Sequence, residues 1–206
     1  LWPKHMHKCR LIRFICITAE KKEGFLMNSI KIKRLVFAAL FAALACAATF
    51  IHIPVPSMTN GYVNLGDCFV LLAGFCLGPV YGGLAGGIGS ALTDLLGGYF
   101  LYAPATLIIK FLMAFCAALL SKALKKHMPS PAAFVISSAV GEVIMIGGYF
   151  VYELFLYGAA AVGSLPGNGI QAIAGLVSSV VIAVILDKNS AAKRQFAMLK
   201  GNDKNV

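Results

Sequence analysis

From Arg34 to Lys110 the chain runs 75 residues without a lysine or arginine, more than three times the roughly 20 that one membrane-crossing helix needs. Turn residues divide this stretch. Ile53-Pro54-Val55-Pro56 and then Asn60-Gly61 end a first helix over about 33 to 52; Gly78-Pro79 ends a second over about 66 to 78, and Gly97-Gly98 a third over about 81 to 97. Pro104, at a first-turn position that tolerates proline, opens a fourth over about 104 to 124, closed by Lys122, Lys125, Lys126 and His127. Pro129 and Pro131 turn the chain into a long fifth helix reaching about Tyr157. The stretch 163 to 169, with Pro166, precedes a sixth that ends near Leu186.

Composition agrees with that pattern. The 206 residues are 59% hydrophobic and 13% charged, with mean hydropathy +0.82, whereas a soluble domain has about 25% charged residues. The expected class is an all-α integral membrane protein. A mass of 21.8 kDa allows roughly six or seven spans and leaves no room for a sizeable soluble domain, which excludes a multidomain enzyme. The net charge of +10 would suggest nucleic acid if it formed a face, but nearly all of the 18 Lys and Arg flank the spans. Lys31, Lys33 and Arg34, then Lys122, Lys125 and Lys126, then Lys188, Lys193, Arg194, Lys200 and Lys204 fall at alternate helix ends, while the loops 53 to 65, 97 to 103 and 158 to 166 have neither Lys nor Arg. The positive-inside rule therefore predicts six crossings, both termini cytoplasmic and these loops outward. Residues 27–187 form the six-helix domain, and 188–206 a basic cytoplasmic tail. Residues 1–26 carry six cations around a short apolar run, 11 to 17, with no small-residue cleavage site; they are expected to be upstream, tag-like and disordered, with Met27 as the natural start.

Five ionisable residues remain inside the spans: Asp67, Asp94, Lys110, Glu142 and Glu153. Each costs a few kcal/mol at a helix centre, so intramembrane charge is a functional hypothesis unless it reaches the interface. Asp67 can cap helix 2 from outside, Asp94 lies about a turn from the outer end of helix 3, and Glu153 lies near the outer end of helix 5. Lys110 sits about 9 Å below Pro104 and Glu142 about 16 Å above Pro131, so in a core about 30 Å thick their heights differ by roughly 5 Å. They are expected to pair, directly or through a ligand. Glu142, Tyr149 and Glu153 share one face of helix 5 with Met145 and Ile146 beside them, and the start of helix 6 adds Asn168 and Gln171, one turn apart. Tyr62, Asn64, Tyr99 and Tyr102 come from the outer loops. Six of the seven tyrosines lie on the outer half, either as an interfacial belt or as aromatic walls around a flat polar ligand. These polar residues converge on an outward-facing cavity.

Other signals are structural. The six cysteines have no Cys-x-x-Cys spacing and the four histidines no ligand spacing, so neither a metal nor a cofactor is expected. Ala38/Ala42 and Ala39/Ala43 on helix 1, and Gly82/Gly86 and Gly83/Gly87 on helix 3, are small-xxx-small faces that let helices approach closely. The glycine run 82 to 89 is not a phosphate loop, because the chain has no Gly-Lys dipeptide. Any ATP must be used by another protein.

Tyr62-Val63-Asn64-Leu65-Gly66-Asp67, Gly78-Pro79-Val80-Tyr81-Gly82, Gly89-Ser90-Ala91-Leu92-Thr93-Asp94, Tyr102-Ala103-Pro104-Ala105-Thr106 followed by Lys110, and Gly148-Tyr149-Phe150 with Glu153 together resemble the S components of energy-coupling factor (ECF) vitamin importers. The similarity spans about 28 to 187 and lies nearest the riboflavin, hydroxymethylpyrimidine or pyridoxine branch. The amino-terminal extension departs from that family, whose members normally begin just before helix 1. The resemblance implies a prokaryotic plasma-membrane protein that captures a vitamin or precursor at its outer face, closed over by the loop after helix 1. It also implies docking onto one transmembrane T subunit and two ATPase subunits, and toppling in the bilayer to release the cargo inside. The implied docking residues are Ala38, Ala39, Ala42 and Ala43. The implied ligand residues are Asn64, Lys110, Glu142, Tyr149, Glu153, Asn168 and Gln171, with Asp67, Asp94 and Tyr102 beside them. Pyridoxine or hydroxymethylpyrimidine suits one cation among carboxylates, amides and tyrosines, with riboflavin, thiamine and a queuosine-type precursor as other candidates.

Two other classes share some of these features. An ion-coupled secondary transporter would also use buried carboxylates, but would favour an internal repeat, and 30 to 105 does not match 106 to 187. An intramembrane enzyme using Glu142 or Asp94 as base lacks a nucleophile and base at useful spacing.

Overall fold

The computed structural model describes residues 29–54 and 62–200. The expectations for 1–26, for 55–61 of the first outward loop and for the end of the basic tail lie outside the described residues. Helix α1, Ser29–Phe50, ends two residues before the sequence pattern predicts. It runs into a short antiparallel pair, β1 His52–Pro54 and β2 Tyr62–Asn64, with His52 opposite Asn64. The sequence shows only a turn here. Pro54 closes β1, where its missing N–H is tolerated.

Helices α2 Gly66–Leu77, α3 Pro79–Leu96, α4 Ala103–Leu124, α5 Ser130–Tyr157, α6 Leu165–Lys188 and α7 Ser190–Leu199 follow. Prolines stand in the first turn of α3, α4, α5 and α6, where the missing N–H breaks no helical hydrogen bond. The start of α6 is a correction. Pro166 lies inside the helix rather than ahead of it, because a 3-10 segment, Gly158–Ser164, feeds directly into Leu165. The single residue between α2 and α3, Gly78, has φ 86°, which a side chain would strain.

The basic stretch after Lys188 is a helix packed back on the bundle. Asn189 caps α7 by accepting from the Ala191 and Ala192 amides at 3.0 and 3.2 Å. Phe196 meets Phe37 of α1 edge to face at 6.0 Å, and Leu199 is buried.

The glycines of α3 serve three neighbours. A Cβ at Gly82 would lie 2.5 Å from the Gly74 Cα of α2; one at Gly87 would lie 2.7 Å from the Leu107 carbonyl oxygen of α4; one at Gly89 would lie 2.3 Å from the Ala42 carbonyl oxygen of α1. Close backbone approach replaces side-chain interdigitation, as the small-xxx-small pattern predicts. Gly89→Ala is therefore expected to force α1 and α3 apart and to cost about 1–3 kcal/mol. Gly147→Ala, with nothing within 4 Å of its Cβ position, is the control. Thermal unfolding in detergent should separate the two, and equal stability would contradict the α1–α3 contact.

Polar side chains share the interior with an apolar core that includes Leu71, Phe75, Met113 and Met145, and many other large apolar side chains face outward. Ser137, Ser138 and Ser179 are buried, whereas Phe155 is 85% exposed and Val143 and Ile173 are also exposed. Such an exterior suits lipid rather than water. Three helical stretches are long and apolar enough to cross a bilayer: Ser29–Phe50, Ala103–Leu124 and the continuous Ser130–Lys188, which contains α5 and α6.

Candidate functional site

A cavity of about 500 Å³, mouth included, opens at the end of the bundle opposite the basic residues. Each helix around it contributes one face. Ser90 and Asp94 come from α3; Tyr102, Thr106 and Lys110 stand four residues apart at and along the start of α4; Tyr149 and Glu153 lie four apart on α5; and Asn168 and Gln171 lie three apart on α6. Thr49 from the end of α1 and Asn64 from β2 complete the wall, with Tyr99 from the loop before α4.

The floor is a chain of buried hydrogen bonds. Lys110 Nζ donates to Asp67 Oδ1, and Gln171 Nε2 donates to Asp67 Oδ2 at 2.7 Å. Gln171 Oε1 accepts from both the Asn64 amide N–H and Asn64 Nδ2 at 3.1 Å each. Asn64 Oδ1 then accepts from the Gly66 N–H at 2.8 Å. One network thus ties β2, α2, α4 and α6 together, with Asp67 0% and Lys110 2% exposed. The Lys110 ammonium also lies 5.4 Å from the Tyr149 ring centroid.

This corrects two sequence expectations. Lys110 forms its ion pair with Asp67 and not with Glu142. Asp67 does not cap α2 from outside, since it is wholly buried and points to the bundle axis where Lys110 reaches it. Glu142 still lies close by. It is 3% exposed, and a Cβ at Gly175 of α6 would fall 2.4 Å from its Oε1 and 2.8 Å from the Asp67 Cβ. Neither Glu142 oxygen has a hydrogen-bond partner among the described residues.

Near the mouth, Tyr102 donates to Glu153 Oε1 at 3.2 Å and packs edge to face on Tyr152 at 5.7 Å. Burial foremost, then Tyr157 and Glu153, push the Tyr102 phenol above its ordinary pKa, so it stays a donor at physiological pH. Tyr149 donates to Thr106 Oγ1 at 3.0 Å. Three polar atoms of the wall are buried without a hydrogen-bond partner among the described residues: Ser90 Oγ, Glu153 Oε2 and Asn168 Nδ2. Buried polar atoms are nearly always satisfied, so these mark where a polar ligand can bond.

Of the ten residues picked out from sequence, Asn64, Asp94, Tyr102, Lys110, Tyr149, Glu153, Asn168 and Gln171 line the cavity, while Asp67 and Glu142 lie beneath it. Thr49, Ser90 and Thr106 were missed. Ser90 and Thr106 each stand four residues before a charged cavity residue, Asp94 and Lys110, which is the signal that would have found them. Thr49, which donates to the Ala45 carbonyl at 2.7 Å, has no such signal.

On another side of the bundle, α1 and α3 enclose an apolar groove. Ala38, Ala39, Ala42 and Ala43 all line it, facing Leu84 and Ile88. Ala38 and Ala42 are half-buried against the core, where the Ala42 backbone meets Gly89, whereas Ala39 and Ala43 are exposed.

The family model described as ECF-type riboflavin transporter, S component, matches residues 29–188. An uncharacterized protein of Pyrococcus woesei is 31% identical over 147 residues, covering 71% of this chain and 95% of that protein. The thiamine precursor transporter HmpT of Lactococcus lactis subsp. cremoris is 27% identical over 165 residues, covering 79% and 93%. Among solved structures, the S component of a bacterial ECF transporter aligns with TM-score 0.56 at 24% identity, covering 76% of this chain and 96% of that one. An S component for biotin from an ECF-type ABC transporter aligns with TM-score 0.61 at 22% identity, covering 82% and 98%. Both likenesses are of fold.

Proposed function

We propose a vitamin-capture role on the premise that this chain belongs to the ECF-type riboflavin transporter S component family, whose model matches residues 29–188. Membership makes it a membrane-embedded, substrate-binding transport subunit and not an enzyme. The reading is that it crosses the plasma membrane of a prokaryote six times, with both termini cytoplasmic, and takes its cargo from outside. One observation carries the site: three unmatched polar atoms, Ser90 Oγ, Glu153 Oε2 and Asn168 Nδ2, face a cavity at whose base Lys110, Asp67 and Gln171 already bond one another.

The floor gives this arrangement its chemistry. Lys110, Asp67, Gln171 and Asn64 satisfy one another, so they hold four elements, β2, α2, α4 and α6, in place rather than waiting for a ligand. Ligand bonds fall to Glu153, Asn168 and Ser90, with Asp94 beside them and Tyr99, Tyr102 and Tyr149 as aromatic walls. The cavity lining holds two carboxylates and one ammonium, and Asp67 holds the ammonium. An acceptor-rich cavity of this kind suits a ligand that donates N–H or O–H and repels a carboxylate or phosphate. A compact heteroaromatic alcohol with a donor edge fits, which supports pyridoxine or hydroxymethylpyrimidine over an anionic vitamin. The relative named as a thiamine precursor transporter supports the hydroxymethylpyrimidine half of that choice.

Release requires partners. The reading assigns the α1–α3 groove to docking with a transmembrane T subunit, itself carried by two ATPase subunits, through Ala38, Ala39, Ala42 and Ala43. Small side chains there let a partner helix approach closely. Ala39→Trp and Ala43→Trp should abolish co-purification with the T subunit and vitamin uptake, yet leave vitamin binding within about threefold, because both lie outside the cavity. Uptake in cells lacking every ATPase subunit is the companion test. Accumulation without them would replace this reading with the ion-coupled carrier.

A further inference from the structure

The basic end of the bundle has a groove that the transport role does not use. Its cationic lining is Arg34 of α1, Lys122 and Lys125 at the end of α4, and Lys200 after α7, and among the described residues no carboxylate lines it. Lys125 is bound elsewhere, to Asp187 at 3.5 Å and over the Phe134 ring at 3.9 Å. Among the described residues no carboxylate pairs with Arg34, Lys122 or Lys200. Arg34 lies 6.0 Å from the Tyr81 ring, and its Nε is buried with no hydrogen-bond partner among the described residues. The amino-terminal end of α3, at Pro79 and Val80, forms part of the same groove and adds the positive pole of an 18-residue helix. Among the described residues the groove thus presents three cations without a carboxylate partner, a field that attracts an anion.

The surroundings say what kind of anion. Leu35 and Val36, next to Arg34, are 67% and 61% exposed, and Val80, on the wall of the groove itself, is 53% exposed. Apolar surface thus runs from the cationic groove straight onto the outside of the bundle, at a depth where Lys and Arg meet headgroups. A soluble phosphate would use the cations and leave the apolar wall bare; a phospholipid uses both.

We propose that this groove binds the phosphodiester headgroup of an anionic phospholipid, held by Arg34, Lys122 and Lys200, with the acyl chains running over Leu35, Val36 and Val80. The lipid belongs to the leaflet on the basic side, which is the cytoplasmic one if the orientation proposed above holds. Bound there, it seats the amino-terminal end of α1 against α3 and α4 at the base of the alanine groove, to which Tyr81 also contributes.

Native mass spectrometry of the full chain in nonionic detergent, mixed with phosphatidylglycerol or phosphatidylcholine, tests this. The wild type should retain phosphatidylglycerol over phosphatidylcholine by about tenfold, and Arg34→Gln/Lys122→Gln/Lys200→Gln should erase the preference. Lys122→Gln alone, at an exposed position that does not threaten folding, should lower it, while Lys126→Gln, at the same end but outside the groove, should not. Equal retention of the two lipids, a preference that survives the triple change, or an equal loss with Lys126→Gln would overturn the site. Displacement of the lipid by millimolar inorganic phosphate would reassign it to a free anion. Vitamin binding measured on the same samples keeps this test separate from the transport reading, since the groove and the cavity share no residue.

Discussion

Lys110→Ala is expected to abolish vitamin capture, weakening binding by about 100-fold or more, and to destabilise the protein by about 3–5 kcal/mol. Asp67 is the reason. It is 0% exposed and would keep its hydrogen bond from Gln171 but lose Lys110, its one cationic partner among the described residues, leaving a charge buried in the bundle. The floor would reorganise, and with it Gln171 and Asn64. A double variant separates stability from function. Lys110→Met with Asp67→Leu removes both charges, so thermal unfolding should recover much of the loss, whereas vitamin binding should stay absent. If Lys110→Ala left both melting temperature and affinity unchanged, the floor would not be what shapes the cavity.

Gly175→Val is the second large effect. The first carbon of any side chain at this position meets Glu142 Oε1 at 2.4 Å and Asp67 Cβ at 2.8 Å, and a branched one has no rotamer that avoids both. Either the Glu142 carboxylate, 3% exposed, is driven into apolar packing, or α6 moves off α2 and α5. Overpacking alone costs about 1–3 kcal/mol, and the shift of Asp67 carries into the Lys110 and Gln171 bonds, so binding should fall as well. Gly175→Ala with Glu142→Ala should restore stability relative to Gly175→Ala alone, because the oxygen that is struck is gone. A Gly175→Val protein that melts and binds like the wild type would contradict the packing of α6 against Asp67.

Much of the fold was legible because proline and glycine punctuate it. Gly78-Pro79, Pro104 and Pro131 place helix boundaries within a residue or two of those observed. Pro166 misled for the same reason, since proline marks a first turn as well as a loop, and only the 3-10 segment before Leu165 decides between them. The helix after Lys188 was hidden behind its charge. Phe196 and Leu199 stand three apart among basic residues, a weak amphipathic signal that packing against Phe37 makes good.

The candidate site was legible in depth and not in direction. Counting 1.5 Å per residue puts Lys110 and Glu142 at similar heights, and both do lie in the buried centre. Helical rise carries no information about which neighbour a helix face meets, so Asp67, at the start of α2, reads in sequence as a cap and not as the partner of Lys110. Ser90 and Thr106 escaped for a different reason. Serine and threonine in membrane helices often bond their own backbone, as Ser178 does to the Ala174 carbonyl at 2.6 Å, so a hydroxyl alone does not announce a cavity.

Capture of a vitamin in the outer cavity is tested most directly by purifying the full chain in detergent from cells grown in rich medium and identifying, by native mass spectrometry, what comes with it. The expected result is a stoichiometric, compact, uncharged or cationic heteroaromatic alcohol that is absent from Lys110→Ala. A protein that is empty and gains no thermal stability from any of a panel of vitamins and precursors would contradict the account.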